Sequence, residues 1–142
     1  MTNTTTDTLT VEQTIRIAAS PETLWSVWTE PLRLAEWWGT ADDFEAVPGG
    51  TYRIVMDNGL IMRGAFTELD PPHRLAFTFG WEQNAPGPLS PGSTRVEVTL
   101  TPVGDETELV LRHFDMPATH AADHEKGWHY HLHERLLPAV TG

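Results

Sequence analysis

The sequence predicts an α+β fold, an antiparallel sheet curved around one long C-terminal helix. Three observations carry it. Apolar and polar residues alternate along most of the middle of the chain, two short helix signals follow the first alternating run, and one apolar stripe at helical spacing closes the sequence.

The first strand spans Leu9 to Ile17. Leu9, Val11, Ile15 and Ile17 point inward while Thr10, Glu12, Thr14 and Arg16 point out, and Gln13 interrupts the inward row with a polar group. Ser20-Pro21-Glu22-Thr23 then starts a helix, since serine caps well, proline suits the first helical position and a carboxylate favours the positive end. Leu24, Trp25 and Trp28 share its inner face. Pro31 stops this helix and opens a second from Leu32 to Trp38, closed by Gly39, so the pair forms a V.

Strands follow one another from there. A short one covers Asp43 to Val47, before Pro48-Gly49-Gly50. Thr51 to Asp57 and Leu60 to Leu69 flank Asn58-Gly59, the strongest two-residue hairpin signal because its turn needs positive φ twice. After the Asp70-Pro71-Pro72-His73 turn, Arg74 to Trp81 carries the inward row Leu75, Phe77, Phe79 and Trp81. A proline-rich loop from Asn84 to Gly92 precedes strands at Thr94 to Thr101 and Glu106 to Phe114, joined through Val103-Gly104-Asp105.

The last helix runs from about Thr119 to Val140, with Ala121, Trp128, Leu132, Leu136 and Ala139 in one stripe. Gly127 in its interior costs about 1 kcal/mol relative to alanine, which predicts close packing at that point. Only this helix is large enough to cover the apolar face of the meander, and the result is a helix-grip arrangement. At 142 residues the chain reads as one domain over 9–142 behind a flexible segment at 1–8.

Composition excludes several functions. Nine Lys and Arg against 20 Asp and Glu leave a formal charge of −11, which argues against nucleic acid and anionic membrane. No cysteine is present, so disulfides, thiolate metal sites and thiol nucleophiles are absent. No apolar run reaches the roughly 18–20 residues of a membrane span, and no secretory signal opens the chain, so it reads as cytoplasmic.

Ala19-Ser20-Pro21-Glu22-Thr23-Leu24-Trp25 through Leu34-Ala35-Glu36-Trp37-Trp38-Gly39 resembles the opening of a known family. The Pro48-Gly49-Gly50-Thr51-Tyr52-Arg53 run, the stretch Gly64 to Leu75 with Asp70-Pro71-Pro72, and His124-Glu125-Lys126-Gly127-Trp128 resemble its hairpin, turn and terminal helix. The family is the activator-of-heat-shock-chaperone-ATPase-like branch of the SRPBCC, or START-like, superfamily. The resemblance implies about seven strands around the helix with an apolar cavity between them. It also implies a choice of roles, among them ligand carriers, polyketide cyclases and chaperone co-factors.

With that cavity implied, the inward rows and the terminal helix supply candidate ligand contacts: Trp38, Tyr52, Met62, Phe66, Phe77, Phe79, Trp81, His113, His124 and Trp128. Trp38 is expected at the mouth, because Trp37-Trp38-Gly39 at a helix end cannot bury both rings on one face. His113 could orient a ligand carbonyl or serve as an acid or base. The pairs His120/His124 and His129/His133 lie one helical turn apart, yet neither forms an HExxH and no carboxylate completes a metal set. Metal and cofactor are therefore not expected. The leading expectation is a binding protein for a hydrophobic or aromatic small molecule. A cyclase or dehydratase using His113, Tyr52 or a helix histidine is the alternative, and a chaperone-activating interaction protein the third. A homodimer is compatible with the sequence but not required by it.

Overall fold

The computed structural model describes residues 8–82 and 89–141. Residues 1–7 of the expected flexible N-terminal segment and most of the proline-rich loop lie outside them, while Thr8, also expected in that segment, belongs to the first strand. The chain runs β1 (Thr8–Ile17), α1 (Pro21–Thr29), α2 (Pro31–Leu34), β2 (Thr40–Phe44), β3 (Thr51–Val55), β4 (Ile61–Asp70), β5 (Arg74–Phe79), β6 (Thr94–Val103) and β7 (Glu106–Pro117). A 24-residue helical tract closes it. That tract comprises a 3-10 turn (Ala118–His120), α3 (Ala121–Tyr130), a π turn (His131–Leu136) and α4 (Leu137–Thr141).

The strands form one antiparallel sheet in the order β1-β7-β6-β5-β4-β3-β2. It is a meander except that β1 pairs with the last strand, bringing Val11 opposite His113 and Gln13 opposite Leu111. The inward rows behave as their alternation dictates: Tyr52, Ile54, Met62, Phe66, Leu75, Phe77, Phe79, Val98 and Leu111 are all buried. Each such side chain contributes about 1.5–3 kcal/mol by leaving water. Ser20 caps α1 by accepting from the Thr23 N–H at 3.1 Å. Helix α1 packs through Leu24, Val27 and Trp28, while Trp25, expected on that face, is only half-buried.

Three local departures from the expected geometry set the shape of the interior. Helix α2 ends at Leu34 rather than Trp38, because the N–H groups of Trp37, Trp38 and Gly39 all converge on the Leu34 carbonyl. The chain tightens around that one oxygen and both indoles are buried, stacked 5.4 Å apart, instead of one being left outside. Strand β2 begins earlier than expected, and the Pro48-Gly49-Gly50 region is a turn in which Gly50 N–H bonds the Val47 carbonyl. In β7 the register slips between the pairs Leu9/Met116 and Val11/His113, and Asp115 sits at φ 64°. This bulge restores the inward parity, so that Met116, not Asp115, is buried.

The helix meets the sheet through His124, Trp128, Leu132 and Leu136, which are buried at intervals of four. At about 100° per residue, a four-residue step in an α-helix drifts by about 40°. The π turn over the second half of this row rotates less per residue and offsets the drift. It starts where the His131 ring Nδ1–H also donates to the Gly127 carbonyl, at 2.9 Å.

Candidate ligand pocket

A pocket of about 210 Å³ opens between the tip of the β3–β4 hairpin and the terminal helix. Aromatic rings of Trp38, Phe79, Trp81 and Trp128 form its floor. Met56, Asn58 and Leu60 come from the hairpin, and Asp123, His124, Gly127 and His131 from the helix. The rings contact one another directly: Trp38 and Trp128 have centroids 5.3 Å apart, and Phe79 stands at 81° to Trp81 at 5.2 Å. Hairpin and helix are also joined by Arg135 and Asp57, 3.6 Å apart.

The buried histidines are held by indoles. Trp128 Nε1–H donates to His113 Nδ1 at 3.0 Å. An acceptor at Nδ1 leaves the proton on Nε2, which lies 2.8 Å from Thr94 Oγ1, and that hydroxyl donates onward to the Phe79 carbonyl at 2.8 Å. His124 has the opposite tautomer. Its Nε2 accepts from Trp81 Nε1–H at 3.0 Å, so Nδ1 carries the proton toward the His120 carbonyl at 2.9 Å. Burial, aided by the neighbouring His124, pushes His113 down to about 3. Burial also lowers His124, against the opposing pull of its bond to His120. Both rings are thus neutral at physiological pH and fully hydrogen-bonded.

This corrects the expected role of His113. It is fully buried, does not border the pocket, and has neither nitrogen free to orient a ligand or move a proton. Of the other candidates, Trp38, Phe79, Trp81, His124 and Trp128 border the pocket, whereas Tyr52, Met62, Phe66 and Phe77 are packed in the core behind it. Tyr52 spends its hydroxyl on the Trp28 carbonyl at 2.9 Å, and burial raises its pKa well above the usual phenol value. Gln13, the other inward polar residue, reaches the Glu125 carbonyl at 3.4 Å and so fastens β1 to the helix, away from the pocket. Among the described residues no group of three His, Cys, Asp or Glu is placed to hold a metal ion.

Sequence reasoning missed Asn58, Asp123 and His131 as pocket residues. Asn58 carried a turn signal and nothing more, and the fold alone sets that turn against the helix. His131 gave a usable hint, being on the same helical face as His124. Gly127 does not serve the close packing expected of it. A Cβ there meets no atom within 4 Å, so the glycine opens onto empty space.

A seven-stranded sheet gripping a long C-terminal helix, with short helices after the first strand, defines a START-like protein of the SRPBCC superfamily. Within that class the chain belongs to the family described as Activator of Hsp90 ATPase homolog 1-like protein, whose model matches residues 18–140. The solution structure of the AHSA1-like protein RHE_CH02687 from Rhizobium etli is 34% identical, with a TM-score of 0.73 over 95% of this chain and 84% of that one. The Aha1 dimer from Colwellia psychrerythraea is 24% identical, with a TM-score of 0.76 over 93% of this chain and 96% of that one. DynU16, a protein of the dynemicin biosynthetic locus, is 22% identical at a TM-score of 0.74; the match covers 87% of this chain and 44% of DynU16. The last two likenesses show the fold alone. No curated protein matches the chain in sequence. Among the described residues no helix is long and apolar enough to cross a membrane.

Proposed function

We infer that the protein binds a small, largely apolar, single-ring molecule in the pocket between the β3–β4 hairpin and the terminal helix. The observation that carries this reading is Gly127: at mid-helix, where glycine costs about 1 kcal/mol, it faces open space beside a floor of aromatic rings. A helix under no demand but packing would place an alanine or leucine there. The volume sets the size class. At about 210 Å³ the pocket is smaller than the roughly 300–1,000 Å³ of drug-sized sites, and close to the ~150 Å³ apolar cavity that takes up benzene. That volume favours a single ring over a multi-ring polyketide substrate. The neutral, doubly bonded state of His113 and His124 also weighs against the cyclase or dehydratase alternative.

Toluene, titrated against the intrinsic tryptophan fluorescence, tests the reading. The wild type is expected to respond saturably, since three indoles border the pocket. Gly127→Leu, which fills the space with a better helix former, is expected to lose the response and keep its fold. No saturable change in the wild type, or the same change in both proteins, overturns the reading.

A further inference from the structure

We propose that the pocket selects an amine cation, a small arylalkyl or methylated ammonium compound, over neutral and anionic molecules of the same size. This rests on the small-molecule reading above and adds the charge of the ligand. The case is built from the polar inventory of the walls. The Trp81 and Trp128 indole N–H groups are spent on His124 and His113, and both His124 nitrogens are engaged. His131 donates its Nδ1–H to the Gly127 carbonyl, which leaves Nε2 as a bare acceptor, and burial holds this ring neutral by lowering its pKa. The Asn58 side-chain oxygen is taken by the Leu60 N–H at 3.0 Å. Among the described residues two donors stay free on the walls, the Trp38 indole and the Asn58 amide, so neutral hydrogen bonding alone does not choose between ligand types.

Charge does. The one formally charged residue among the described lining is Asp123, whose exposed carboxylate has no basic partner among the described residues. No described lysine or arginine lines the pocket. Arg135, outside the lining, pairs with Asp57, and Lys126 borders the separate groove beside Gln13 and Tyr130. An anion entering would lose its hydration with no cation to meet it. A cation would meet the aromatic lining of Trp38, Trp81, Trp128 and Phe79 together with the Asp123 carboxylate, a combination suited to ammonium groups. The overall charge of −11 draws cations toward the mouth at long range. Scaling from benzene in a ~150 Å³ cavity, about eight non-hydrogen atoms fit, the size of benzylamine.

Benzylamine, benzyl alcohol and benzoate are near-isosteres that differ in charge at neutral pH. Calorimetric titration of the wild type at low ionic strength is expected to rank benzylamine about tenfold tighter than benzyl alcohol, with no measurable benzoate binding. Asp123→Asn is expected to weaken benzylamine about threefold and to leave benzyl alcohol unchanged. Equal affinity for benzylamine and benzyl alcohol, or tighter binding of benzoate, overturns the cation preference while the small-molecule reading stands. Binding of none of the three overturns both. An Asp123→Asn variant that weakens amine and alcohol alike also overturns the assignment, because the carboxylate would then act through the helix and not through charge.

Discussion

Acid should destabilise this protein earlier than its carboxylates alone would, and His113 is the reason. In the unfolded chain a histidine takes up a proton near pH 6.5; in the folded protein His113 does so only near 3. Its folded value is depressed, so stability is complete above about pH 6.5 and drains away as pH falls toward 3. The slope reaches about 1.4 kcal/mol per pH unit, and a gap of about 3.5 units amounts to about 5 kcal/mol. Domain stabilities of about 5–15 kcal/mol make that a large share of the total. His124 and His131 are depressed in the same direction and steepen the slope within the same window. Urea melts followed by tryptophan fluorescence at several values between about pH 8 and pH 4 measure it directly. Stability should be flat above about pH 7 and fall by at least about 1.4 kcal/mol per unit below pH 6. In His113→Gln the slope should be shallower by about one proton, although the variant is less stable at neutral pH. A proton NMR titration in which the His113 ring shows a midpoint near 6.5, or melts that stay flat down to pH 5, would refute the account of a neutral, indole-bonded imidazole.

Two glycines give predictions of opposite sign. Gly127→Ala is expected to raise stability by up to about 1 kcal/mol, read as a higher urea midpoint with an unchanged m-value, because the new methyl meets nothing within 4 Å. A lower midpoint would mean that the glycine is needed for packing after all. Gly64→Ala is expected to cost more than about 3 kcal/mol, since its Cβ would collide with the Thr78 carbonyl oxygen of the neighbouring strand. Near-ultraviolet circular dichroism of that variant should show lost tertiary packing, and a native-like spectrum with an unchanged midpoint would contradict the contact.

Much of the framework was legible because it depends on local chemistry. Asn58-Gly59 marks the hairpin, although positive φ falls on Gly59 and not on Asn58 and the turn closes from the Gly59 N–H to the Met56 carbonyl, a longer connection than the two-residue turn expected; Ser20-Pro21 caps a helix regardless of what the helix packs against. The inward rows follow from a period of two. What parity cannot say is whether an inward ring fills space or borders it. Phe77 and Phe79 share one row on β5, yet Phe79 meets the pocket and Phe77 does not. His113 shows a second limit. Its polar type suggested function, while the Trp128 N–H and Thr94 hydroxyl that satisfy it come from distant positions in the chain. Trp37 and Trp38 show a third, because a rule about helix faces fails where the backbone leaves the helix at Leu34.

The π turn at His131–Leu136 also bears on how members of this family line up with one another. Relative to an α-helix, such a turn accommodates one additional residue without advancing the face presented to the sheet. A relative that keeps a plain α-helix here would be one residue shorter between the positions matching Trp128 and Leu136. The gap would then record a change of helical phase and not the loss of a contact. Placed elsewhere in the helix, the same gap would rotate every following side chain off the sheet. Sequence length across this one segment is therefore a conformational marker, readable in chains whose structures are unsolved.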